Sequence, residues 1–113
     1  MIAWTDVVSR LAPGDSLSPL VGSSRLTVDS VGADRICIRQ RLWSACLTRA
    51  DIDTANRILA DAPADVSPVG FSELMRAHYA SGTDVTTGCT RLPNLAAVVL
   101  LHLGAFAAGP GGR

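Results

Sequence analysis

The chain has 113 residues, 48% of them hydrophobic, and its ten basic residues balance ten acidic ones. That length suits one domain with a single core. Zero formal charge supplies no global field for nucleic acid or an anionic membrane, so any charged partner must be recognised locally. Every basic residue is Arg, which reads first as GC-rich, bacterial coding and only then as selection for guanidinium chemistry.

Three cysteines without a CxxC spacing fit a reduced, intracellular protein better than a disulfide scaffold. The first residues carry neither a basic n-region nor a long apolar run, so no signal peptide is expected. The longest apolar stretch, 95–101, is too short to span a bilayer. A soluble, cytoplasmic protein follows from these features, with no membrane partner.

In chain order, Trp4, Val7, Val8 and Leu11 fall at helical spacing until Pro13-Gly14 stops the pattern. Residues 15–22 read as a loop or a brief edge strand, since Pro19 is excluded from a central one. Three alternating segments follow. They place Leu26, Val28, Ile36, Ile38, Ala45 and Leu47 on one face, with Arg25, Thr27, Asp29, Arg35, Cys37, Arg39, Ser44 and Cys46 on the other. A three-residue turn at Gly32-Ala33-Asp34 pairs Val28 with Ile38 and Ser30 with Ile36. A two-residue turn at Arg41-Leu42 pairs Ile38 with Ala45 and Ile36 with Leu47, although Arg-Leu is poor material for a primed turn.

Thr48 and Asp51 form a capping-box variant that starts a helix. Ile52, Ala55, Ile58, Leu59 and Ala62 line one side of it, up to Pro63. Ser67-Pro68 then opens a second helix, with Phe71, Leu74, Met75, His78 and Tyr79 on its apolar stripe. A polar loop is expected at 83–91. Pro93 opens a last helix, to about residue 106, that is apolar nearly all round; it is either the centre of the fold or packed on a second copy. Residues 107–113, rich in glycine, read as a flexible tail.

The expected architecture is therefore a single α+β domain over residues 1–106: a short N-terminal helix, a three-stranded antiparallel β-meander, and about three helices packed on its apolar face. Strands followed by helices, without alternation, exclude a doubly wound nucleotide-binding fold. The Gly-rich tail has no strand before it and no helix after it, so it is no phosphate loop.

Catalysis needs a nucleophile or base with a partner, and Cys89 with His78 and His102 is the one visible candidate set, outweighed by a loop cysteine and two unrelated histidines. Zinc would need converging thiolates and imidazoles, but none of the usual short chelating pairs occurs, so neither metal nor cofactor is expected. Cys37 and Cys46 face each other in the register, where two reduced thiols are favoured over a bond. Asp51 and Asp53 point apart on a helix, and capping already accounts for Asp51. Arg25, Arg35, Arg39 and Arg41, joined by Arg49, offer a phosphate-binding face with Trp43 beside them for stacking; the competing reading is a solvated sheet face.

The last helix is more apolar than a peripheral helix requires, which points to Leu95, Val99, His102 and Phe106 as an interface. The leading expectation is a non-enzymatic interaction module, self-associating or an accessory subunit of a larger bacterial system. Nucleic-acid binding through the arginine face stands second. A thiol enzyme or small-molecule binder around Cys89 stands third.

Overall fold

The computed structural model describes residues 2–20, 22–41, 43–80 and 88–106, those at 80 and 88–90 by backbone alone. The order is α1 (Trp4–Arg10), β1 (Ser16–Leu17), β2 (Leu26–Val31), β3 (Arg35–Gln40), β4 (Trp43–Thr48), α2 (Arg49–Asp61), α3 (Pro68–Ala80) and α4 (Gly88–His102). The α+β class is as expected, but the antiparallel sheet has four strands, ordered β1-β2-β3-β4, rather than three. The brief segment before Pro19 pairs as an edge strand, Leu17 against Leu26 and Ser16 against Thr27. Two further backbone bonds, Gly14 N–H to Val28 O and Val28 N–H to Asp15 O, both 2.8 Å, extend that contact.

The sheet is apolar on one side only. Leu17, Leu26, Val28, Ile36, Ile38 and Leu47 are buried, while Arg25, Asp29, Arg35, Arg39 and Ser44 are exposed. Pairing of β3 with β4 follows the expected register, from Gln40 opposite Trp43 to Arg35 opposite Thr48. Pairing of β2 with β3 departs from it after Val28–Ile38: Ser30 lies opposite Cys37 and Val31 opposite Ile36. Asp29 is the extra residue of a β-bulge, which brings Val31 onto the core side instead of losing it to solvent.

Thr48 and Asp51 make both bonds of the capping box. The Asp51 N–H donates to Thr48 Oγ1 at 3.1 Å, and the Thr48 N–H donates to Asp51 Oδ2 at 2.9 Å, so the shorter carboxylate arm suffices. The other Asp51 oxygen accepts from the Tyr79 hydroxyl at 2.8 Å, which ties the start of α2 to the end of α3. At α3, Ser67 Oγ accepts from the Gly70 N–H at 3.0 Å and Pro68 is the first helical residue, as the Ser-Pro pair predicts.

α4 begins at Gly88, not at Pro93, so Gly88 to Arg91 are helical; the rest of the expected 83–91 loop and the 107–113 tail lie outside the described residues. Pro93 removes one helical hydrogen bond in the second turn. The helix survives because the apolar run from Leu95 to Leu100 is buried continuously beneath it. α4 packs on α3 and on the sheet, so its all-round apolar surface forms the centre of the fold.

Long-range polar bonds close the N-terminus onto this core. The buried Asn56 amide accepts from the Ile2 N–H at 3.2 Å and donates to the Ile2 carbonyl at 2.6 Å. The Trp4 indole donates to Ala33 O at 2.7 Å, which pins α1 to the β2–β3 turn. Among the described residues no helix is long and apolar enough to cross a membrane.

Cys37 and Cys46 are joined by a disulfide, with Cα atoms 4.0 Å apart, rather than standing as two thiols. The expectation of a reduced pair is therefore corrected, and the argument from reduced thiols for a cytoplasmic address goes with it. Their register explains the bond. In an antiparallel pair the non-hydrogen-bonded positions come closest, and a two-residue turn closed by Gln40 and Trp43 places Cys37 and Cys46 at such a position. Cross-linking residues separated by 9 in sequence should contribute about 2 to 3 kcal/mol by restricting the unfolded chain. Replacing both cysteines with Ala should lower the urea-unfolding free energy by about that amount. In unreduced, denatured protein Cys37 and Cys46 should resist alkylation and accept it after reduction.

Candidate functional site: the polar sheet face and its open edge

The solvent side of the sheet holds the arginines, and the fold already uses most of them. Arg25 reaches back to the edge strand: its guanidinium donates to the hydroxyls of Ser16 and Ser18 and to Ser16 O. Arg39 pairs with Asp29 on the bulge at 3.3 Å; both side chains are more than half exposed, so the pair contributes at most about 1 kcal/mol. Arg41 donates to Ser24 Oγ at 2.8 Å. Arg35 and Arg49 are exposed and have no carboxylate partner among the described residues.

Trp43 is not on that face. It shares strand parity with Ala45 and Leu47, packs against the core from the helix side, and lies under the Arg91 guanidinium of α4, 4.9 Å from the ring centroid. The expected stacking partner for the arginine face is thus on the opposite side of the sheet. The structure separates that set into an arginine surface and a tryptophan that helps fasten α4.

The thiol candidate is not brought to both histidines. Cys89 belongs to the first turn of α4 and His102 to its last, which sets them about 20 Å apart along the axis. His78 is exposed on α3, edge-on to Tyr79, and lines a groove against α2. His102 borders a separate small cavity with Ser18, Val98 and Leu101. Among the described residues no three His, Cys, Asp or Glu side chains converge to hold a metal ion.

The expected interface residues lie mostly inside the chain. Leu95 and Val99 have no exposed area, and Phe106, only 6% exposed, meets Phe71 edge-on. Only His102 of that set faces solvent. An apolar circumference can be satisfied by a neighbouring molecule or by the chain's own layers, and here α3 and the sheet satisfy it.

Two surfaces remain that the sequence reading did not single out. Between α2 and α3 runs an open groove of about 410 Å³, lined by Ile58, Ala62, Pro63, Leu74 and Ala77 with Asp61 and His78 at its rim. Leu74 is 41% exposed there, although helical spacing placed it on the buried stripe. The second surface is the edge of β4. With Gln40 opposite Trp43 closing a two-residue turn, Ala45 and Leu47 turn their backbone groups toward β3, whereas Ser44 and Cys46 turn theirs away. No described residue bonds to the outward groups of Ser44 and Cys46.

Natural sheets protect such edges with charge, proline, bulges or brevity. The far edge has these devices: β1 is two residues long and followed by Pro19, and β2 beyond it carries the Asp29 bulge. β4, Trp-Ser-Ala-Cys-Leu-Thr, has none of charge, proline or bulge. That signal was legible in the sequence, once β4 was known to be terminal in the sheet. Searches against family models, curated proteins and solved structures find no match for this chain.

Two outcomes test this geometry. In amide hydrogen exchange, Ala45 and Leu47 should be protected while Ser44 and Cys46 exchange near the rate of an unstructured peptide; equal protection of all four would show the edge already covered. Arg41 holds φ at +52°, a left-handed conformation costly for a side chain with a Cβ. Arg41→Gly should therefore raise unfolding free energy by roughly 0.5 to 1 kcal/mol in urea titration, despite losing the bond to Ser24.

Proposed function

We propose that this chain is a non-enzymatic interaction module, an accessory component that acts by holding another protein. The β4 edge, with which no described residue pairs, carries this reading. A sheet with one protected and one unprotected border is what strand addition requires, since the partner's backbone completes the ladder. The chemistry-bearing side chains support it by their occupations. Asp51 caps α2 and receives Tyr79, Arg25 holds β1, and Arg39 is matched by Asp29.

Nucleic-acid binding is the weaker reading. It retains Arg35, Arg41 and Arg49 as exposed cations but loses the aromatic platform that gives single strands their affinity. The thiol-enzyme reading loses the His102 partner to distance.

A tagged chain purified from its native cells, beside a Ser44→Pro variant, tests the proposal. Proline there removes only an outward N–H, so the ladder to β3 is kept. The expected result is a protein partner recovered in stoichiometric amount with the native chain and lost with Ser44→Pro, while circular dichroism shows the variant folded. A strict monomer with no associated partner would refute the module.

A further inference from the structure

We infer that the β4 edge binds an extended acidic segment of a partner protein, added as a fifth strand, and that the segment alternates acidic with apolar residues. This rests on the interaction-module reading and specifies its ligand. The backbone part follows from pairing. Ser44 and Cys46 each present an outward N–H and C=O, and both belong to a six-residue strand without a bulge, long enough to template a short peptide.

The electrostatic part follows from what surrounds the edge. Arg41 precedes β4 and Arg49 follows it. Arg35 and Arg39 lie on the adjoining strand, and of these four only Arg39 is matched by a carboxylate among the described residues. An added strand would therefore run along an uncharged track bordered by guanidinium groups. Carboxylates on its solvent side would be attracted to them, and Arg can take each in bidentate fashion. On its helix side the added strand would meet Ala45 and the half-buried Trp43, which calls for apolar residues at alternate positions.

The same charges disfavour a second copy as occupant. Antiparallel self-pairing centred on Ala45 brings Arg41 of one chain opposite Arg49 of the other, like charges at both ends of the ladder. Nucleic acid could use the arginines but has no peptide backbone to pair with Ser44 and Cys46, so the two polymers respond differently to blocking that edge.

The test uses short fluorescent peptides of alternating Val and Glu, a Val and Lys counterpart, an N-methylated Val and Glu version, and single-stranded DNA. Binding is read by anisotropy against the full chain. The Val–Glu peptides should bind, and the Lys and N-methylated versions should not. Arg41→Ala and Arg49→Ala should each weaken binding by about three- to tenfold, more at low salt than at high. Ser44→Pro should abolish it, and Ser44→Lys, which keeps every backbone group, should leave it measurable. DNA binding that survives Ser44→Pro, with no peptide binding, would overturn the inference in favour of nucleic acid. Absence of acidic-peptide binding while the native partner is still lost with Ser44→Pro would overturn the acidic-strand assignment and leave the module standing.

Discussion

A sheet that is apolar on one face can be completed by a single layer of helices, and everything else in this fold depends on α4 supplying it. Leu95 to Leu100 are buried without interruption, which only a helix surrounded on most sides can be. The sheet contributes Leu26, Val28, Ile36, Ile38 and Leu47 to the same cluster, and α3 closes it with Phe71 and Met75. Once that sandwich of sheet, α4 and α3 exists, α1 and α2 need only specific ties. Asn56 and Trp4 provide them as bonds to the backbone of Ile2 and Ala33. Because all the burial is on one side, the opposite face of the sheet stays polar, and among the described residues nothing pairs with the outer side of β4.

The division of β2, β3 and β4 into two faces was legible in the sequence because alternation is a backbone property and one buried face fixes its phase. The start of α2 was equally legible, since the Thr48–Asp51 box is local chemistry. The bulge at Asp29 was not. A strict alternation and a bulged one differ by a single residue, and only the gain from burying Val31 decides between them. β1 was half legible: Pro19 announced an edge, but two residues of pairing leave no periodic trace. The expected start of α4 at Pro93 differs because the helix already runs from Gly88 and carries the proline in its second turn.

The candidate site was harder to read, for a different reason. Alternation assigned the arginines to the solvent face but said nothing of their partners, and Ser16, Ser18, Ser24 and Asp29 come from neighbouring strands and loops. Trp43 was grouped with the arginines by its proximity in sequence, although its parity matches Ala45 and Leu47. The interface expectation rested on an ambiguity that composition cannot resolve. An all-apolar helix needs neighbours, and sequence does not say whether they belong to the same chain.

The disulfide and the open edge bear on each other. Cys46 is at once a partner in the cross-link to β3 and one of the β4 residues whose backbone groups face outward. An edge strand held from one side only would ordinarily fray, because its outer groups exchange freely between water and any partner. A covalent tie from Cys37 to Cys46 counters that tendency at the middle of β4 and leaves the outward N–H and C=O untouched. Ordering the strand beforehand removes part of the entropy that an incoming segment would otherwise have to offset, so the cross-link stabilises the fold and preorganises the edge by the same restriction. Reduction by a cellular dithiol, which would take two electrons and two protons to give two thiols, should therefore weaken strand addition more than it weakens the core beneath α4.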